Sequence, residues 1–131
     1  IAALGDGLPF RNSILAGFAG ADHSPHFLVA YLNAAPTRWL HHARFRDARQ
    51  GMPQVKIAHL RAIPAPPHAA AVRERLEALG RTLGAANRGI EEGDAAILDA
   101  LVAEALGLSD DELALVRAWT RDNPAPRSVY D

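Results

Sequence analysis

The densest run of basic side chains in the sequence lies between residues 38 and 61. Its Lys and Arg residues are Arg38, Arg44, Arg46, Arg49, Lys56 and Arg61. Arginine suits both contacts with phosphate and bidentate pairing with guanine. Gln50 and Gln54 lie in the same stretch, and a glutamine amide can pair with adenine in two-point fashion. These eight residues therefore predict a DNA contact; the simpler alternative is a solvated helix face.

The formal charge divides unevenly along the chain. Residues 1–88 contain 11 Lys or Arg against 5 Asp or Glu, whereas residues 89–131 contain 3 against 10. Such a division predicts two faces with different partners. The alternative is that the acidic side chains only solvate the helices that carry them.

The sequence offers no combination of residues suited to catalysis or metal binding. Cysteine is absent, which excludes disulfides and thiolate metal sites. His41 and His42 are adjacent, whereas metal ligands on a helix are usually three or four residues apart. Gly5-Asp6-Gly7 is too short for a cofactor loop and predicts a turn. We expect no catalytic residue, no metal and no cofactor on this chain.

Length and composition indicate one small domain or a domain fragment. The chain has 131 residues, of which 49% are hydrophobic, enough for a core. Its first residue is Ile1, and we expect a piece of a longer protein. Its apolar runs are far shorter than the roughly 20 residues that span a bilayer. We expect a cytoplasmic location with no membrane contact.

Local signals in the first half predict a strand followed by helices. The short apolar run of residues 12–18 predicts the strand. Ser24 and Pro25 predict a helix start, as N-cap and first helical residue. Pro36 should break or kink that helix, and Thr37 can cap its continuation to residue 45. We expect a loop at residues 50–53, an element of uncertain type at 55–60, and an extended proline-rich segment at 63–67.

The second half predicts three helices. Residues 69–87 carry a stripe of apolar side chains at steps of four, three and four: Val72, Leu76, Leu79 and Leu83. A second helix at residues 97–106 should end at Gly107. Ser109 and Glu112 form a capping box that predicts a third helix, with Leu113 and Val116 facing inward.

Three segments in this order resemble a known family. Residues 27–34, residues 52–67 with their Leu-Arg-Ala-Ile-Pro-Ala-Pro-Pro ending, and residues 96–112 with Gly-Leu-Ser-Asp-Asp-Glu are similar to the target-recognition region of bacterial type II adenine-N6 DNA methyltransferases and fused restriction–modification enzymes. The first two segments also resemble type I specificity subunits. The family often has Ser where Ala34 stands and an aromatic residue where Ala105 stands.

The resemblance implies sequence-specific recognition of double-stranded DNA by a non-catalytic part of a restriction–modification protein. A methyltransferase domain of the same parent chain would use S-adenosylmethionine. Asn123-Pro124-Ala125-Pro126 departs from the Asn-Pro-Pro-aromatic base clamp of those enzymes, so methyl transfer is not expected here.

The expected fold is α+β and mainly helical. An α/β target-recognition part would cover residues 1–67, and a helical part would cover residues 68–131. The alternative function is a helical scaffold or dimerisation module, in which the leucine stripe of residues 72–83 packs on a partner protein or a second copy of the chain.

Overall fold

The described part of the chain is built from helices. The computed structural model describes residues 2, 4, 5, 17, 19–45, 55–85 and 90–124. Within these ranges the helices are α1 (Pro25–Asn33), α2 (Ala35–Phe45), α3 (Ile57–Arg61), α4 (Ala69–Ala85), α5 (Glu92–Leu106) and α6 (Asp110–Asp122). They contain 72% of the described residues, which include no strand. The prediction of a mainly helical chain is confirmed.

Several sequence-based predictions fall on residues that the structure does not describe. Of the strand expected at residues 12–18, only Gly17 lies within the described ranges. The loop expected at residues 50–53 lies wholly outside them. The α/β character of residues 1–67 and the division at residue 67 therefore stay predictions.

α1 begins where its local signals predict. The Ser24 hydroxyl accepts a hydrogen bond from the Phe27 N–H at 3.2 Å, and Pro25 is the first helical residue. The helix ends at Asn33, because Ala34 takes an extended conformation with ψ of 147°. The predicted break is confirmed, although it lies at Ala34, and Pro36 is the second residue of the following helix. Thr37 is not the cap of the continuation, since α2 already begins at Ala35 and Thr37 is buried in its first turn.

The core forms where α1, α4 and α5 meet. Its buried members are Phe27, Ala30, Tyr31, Ala34, Ala69, Val72, Leu76, Leu98, Leu101, Val102 and Ala105. The predicted stripe on α4 faces this core, with Val72 and Leu76 fully buried and Leu79 packed at its edge. α4 approaches α1 very closely at Gly80, where a Cβ atom would lie 2.2 Å from the His26 carbonyl oxygen.

The boundaries of α5 and α6 follow their predicted caps. Gly107 ends α5 with φ of 73°, a left-handed conformation that glycine adopts without steric cost. The capping box is present: the Ser109 hydroxyl accepts from the Glu112 N–H, and the Glu112 carboxylate accepts from the Ser109 N–H at 2.7 Å. Leu113 and Val116 are buried as expected. α6 packs along α2, the helix that carries part of the predicted DNA-contacting stretch.

Candidate nucleic-acid interface

Four of the eight residues predicted to contact DNA lie in the described part of the chain. Arg38 and Arg44 are on α2, Lys56 precedes α3, and Arg61 is the last residue of α3. The other four, which are Arg46, Arg49, Gln50 and Gln54, lie outside the described residues. In the sequence they fall between α2 and α3.

Arg44 is exposed in the last turn of α2 and is directed by two contacts. Its Nη1 donates a hydrogen bond to the Ala62 carbonyl oxygen at 3.3 Å, and its guanidinium carbon lies 5.8 Å from the centre of the Phe45 ring. A guanidinium has five N–H donors, so one bond to a carbonyl leaves donors available for a phosphate. These contacts therefore orient the Arg44 guanidinium and leave most of its N–H groups available for hydrogen bonds.

Lys56 and Arg61 lie at opposite ends of the short helix α3. Both side chains are exposed, and α3 buries none of its residues. Together with Arg44 they form what we call the basic surface: Arg44, Lys56 and Arg61. Exposed cations on one surface raise the local concentration of a polyanion.

Arg38 has a different environment from the basic surface. Its Nη2 donates to the Asn123 carbonyl oxygen, and its guanidinium carbon lies 5.2 Å from the centre of the Trp119 ring. Partial burial lowers the pKa of Arg38 from its usual value. These contacts fasten α2 to the end of α6, so the structure places Arg38 between two helices rather than on the open surface.

An aromatic cluster lies beside the basic surface. The ring cluster, as we call His41, Phe45 and His59, joins α2 to α3. The Phe45 and His59 rings stack at 4.6 Å with planes 7° apart, and the centre of the His41 ring lies 5.4 Å from that of His59. Burial lowers the pKa of His41, and His59 and then His42 lower it further.

The charge around α1, α2 and α3 is one-sided. Between residues 23 and 68 the only acidic residue is Asp47, which lies outside the described ranges. α6, which packs on α2, ends in Arg121 and Asp122, whose charges offset each other. The described part of this region therefore presents cations and imidazoles without carboxylates on the same helices.

A buried carboxylate positions α2 and was not singled out by the sequence-based reasoning. Asp99 on α5 is 9% exposed, and its Oδ1 accepts a hydrogen bond from the Ala35 N–H at 2.8 Å. Burial raises the pKa of Asp99, while the bond from Ala35 and the charge of Arg117 lower it. The available signal was its place on α5, three and four residues before the apolar Val102 and Ala103. Such spacing puts Asp99 on the face of α5 that is turned inward.

The three segments that carry the family resemblance contact one another. The Tyr31 hydroxyl of the first segment donates to the Pro64 carbonyl oxygen of the second at 2.9 Å. The His68 N–H, just after the second segment, donates to the Ala105 carbonyl oxygen of the third at 2.9 Å. The described parts of the three segments are thus packed together.

No group of three or more His, Cys, Asp or Glu side chains in the described ranges is arranged to hold a metal ion. No helix among the same residues is both long and apolar enough to cross a membrane.

Comparison with protein-family models, curated proteins and solved structures found no match. The function is therefore inferred from the residues of this chain alone.

Proposed function

We propose that this chain contacts double-stranded DNA through the basic surface, as part of a sequence-specific target-recognition region. The observation that carries the proposal is the exposure of Arg44, Lys56 and Arg61 around α2 and α3, with no described carboxylate on α1, α2 or α3. Salt bridges within the chain would neutralise such a surface, and none of these three side chains has one to a described residue. The phosphate backbone of DNA would supply the negative charge that pairs with these cations.

The contacts of Arg44 support a role in holding phosphate. Because the Ala62 carbonyl and the Phe45 ring already orient the guanidinium, less side-chain entropy is lost when it binds. Phosphate contacts fix the position of a protein on the duplex, whereas contacts with base edges give the sequence preference. In this proposal the contacts with base edges come from the segment between α2 and α3, through Arg46, Arg49, Gln50 or Gln54.

The family resemblance supplies the wider setting of the proposal. The chain would serve a bacterial restriction–modification protein in the cytoplasm, with an α/β part in residues 1–67 and a helical part after them. Methyl transfer, with S-adenosylmethionine, would belong to a methyltransferase domain of the same parent protein. The chain itself would be non-catalytic.

The second candidate function is a scaffold or dimerisation role. The surface that favours it is not the leucine stripe of residues 72–83 that the sequence analysis expected. Val72 and Leu76 of the leucine stripe are fully buried against α1 and α5, so that stripe is already covered within the chain. Ile97 on α5 and Leu115 on α6 are 56% and 70% exposed. These side chains favour a partner protein or a second copy at α5 and α6.

Two double variants separate these functions. Arg44→Ala/Arg61→Ala removes two charges from the basic surface, and Arg73→Ala/Arg81→Ala removes two exposed charges from α4. Fluorescence anisotropy with a labelled duplex at low salt should show weaker binding for the first pair and near-native binding for the second. Equal affinity of both variants and the unmodified chain would contradict the DNA proposal.

A further inference from the structure

α3 is held against α2 by a small number of contacts. It buries none of its five residues. The stack of His59 on Phe45 and the contact of His59 with His41 join its middle to α2. Its C-terminal end is joined to α2 by the Arg44 hydrogen bond to Ala62. Just after α3, Ile63 packs on the core and the Pro64 carbonyl accepts from the Tyr31 hydroxyl. Because no apolar side chain of α3 itself is buried, the docking of its first turn and middle on α2 depends on the ring cluster.

One of these contacts needs a neutral imidazole. His59 Nδ1 accepts a hydrogen bond from the Lys56 N–H at 3.4 Å, which closes the first turn of α3. An imidazole nitrogen accepts a hydrogen bond only while it carries no proton, and both nitrogens are donors in the imidazolium form. Protonation at Nδ1 would therefore remove this bond and place a donor against a donor.

The groups around the ring cluster oppose added positive charge. His42 and Arg44 flank His41 on α2, and Lys56 and Arg61 flank His59 on α3. α6 presents the Trp119 ring to His42 and carries Arg121 and Asp122 at its end. His41 Nε2 is buried and has no hydrogen-bond partner among the described residues. Burial and the neighbouring imidazoles also lower the pKa of His41, in the direction expected for this environment.

We propose that the ring cluster is a proton-sensitive latch, which keeps α3 docked on α2 while His41 and His59 are neutral and releases it when both are protonated. A proton on His59 alone removes the bond from Lys56 but leaves the stack in place, since an imidazolium over the face of Phe45 is attracted by the ring. The second proton places two like charges in rings whose centres are 5.4 Å apart. The Arg44 guanidinium, 5.8 Å from the centre of the Phe45 ring, adds a third positive charge nearby. Release would also free Arg44 from Ala62.

This inference goes beyond the proposed function, because it concerns contacts within the chain and needs no DNA. Its test uses nuclear magnetic resonance of the labelled chain from about pH 7.5 down to the pH at which the ring-proton shifts of His41 and His59 show that both imidazoles carry a proton. At the higher pH, nuclear Overhauser effects should connect the ring protons of Phe45 and His59. At the lower pH they should vanish, and the Cα shifts of residues 57–61 should move toward coil values. Signals between Leu76 and Leu98 in the core serve as the internal reference and should persist.

Two variants make the test specific to the pair of imidazoles. His41→Phe keeps a ring at that position but cannot take up a proton, so the contact between Phe45 and residue 59 should persist at both pH values. His68→Gln removes an exposed imidazole elsewhere and should retain the native transition. Ring contacts that persist at low pH in the unmodified chain, that are already absent at high pH, or that are lost equally in His41→Phe would each overturn the proposal.

Discussion

The Asp99 carboxylate on α5 accepts the Ala35 N–H at 2.8 Å and so caps α2 from 64 residues away along the chain. Ala34, which precedes α2, has no side-chain acceptor of its own. The first amides of a helix lack intrahelical partners, and a buried one costs free energy if it is left unpaired. The position of α2, which carries Arg44 of the basic surface, therefore depends on a residue of the acidic segment 89–131.

Replacement of Asp99 should separate its hydrogen bond from its charge. Asp99→Ala removes the cap and should lower the free energy of unfolding by about 1–2 kcal/mol at neutral pH. Asp99→Asn keeps an oxygen that can accept the Ala35 N–H and should cost less. Urea denaturation measures both, with the exposed Asp111→Ala as control. An alanine variant as stable as the native chain would show that the cap contributes nothing.

The raised pKa of Asp99 also predicts a pH dependence. The folded chain keeps the proton to a higher pH than the unfolded chain, whose carboxyl titrates near 3.9. The stability of the native chain relative to Asp99→Asn should therefore fall as the pH rises from about 4 through the folded pKa, and then level off. Urea midpoints of the two proteins across this range measure it. A constant difference would mean that Asp99 titrates alike in both states.

Gly80 and Gly84 provide a matched pair on one helix. A Cβ at Gly80 would lie 2.2 Å from the backbone oxygen of His26, which cannot move without shifting α1. Gly80→Ala should therefore destabilise the chain by about 1–3 kcal/mol, despite the better helix propensity of alanine. A Cβ at Gly84 meets only the end of the Leu4 side chain at 3.7 Å. Gly84→Ala should be neutral or stabilising by up to about 1 kcal/mol in thermal unfolding; the reverse order would refute the close approach of α1 and α4.

Leu76 and Leu115 test the inward direction of the α4 stripe. Leu76 is fully buried, whereas Leu115 on α6 is 70% exposed. Leu76→Ala should cost about 2–5 kcal/mol, the usual range for a buried leucine. Leu115→Ala should leave the free energy of unfolding nearly unchanged. If thermal and urea unfolding gave equal effects for both, the stripe would not be packed as described.

Features encoded by neighbouring residues were predictable from the sequence. The N-cap at Ser24, the left-handed Gly107 and the Ser109–Glu112 box each depend on residues within one helical turn, and all three are present. The Asp99 bond to Ala35 and the Arg38 contact with Trp119 depend on which helices meet in space. Helical periodicity shows which face is apolar but not which partner covers it, so these contacts had no local signal.

The same limit applies to the candidate site. Composition was enough to single out residues 38–61 as basic, but it treated Arg38 and Arg44 alike. Only packing distinguishes them, since α6 engages Arg38 and leaves Arg44 on the surface. Likewise, the adjacent histidines gave no indication that His41 would contact His59 across two helices.

The salt dependence of DNA binding tests the central claim most directly. Each phosphate contact that is lost should lower the slope of log K against log salt concentration by about 0.9, so Arg44→Ala/Arg61→Ala should lower it by about 1.8. Because these two residues are proposed to hold phosphate, affinity should fall alike for every duplex sequence. We predict this change for Arg44→Ala/Arg61→Ala and almost none for Arg73→Ala/Arg81→Ala on α4. An unchanged slope for the first pair, or the same change for both pairs, would contradict the central claim.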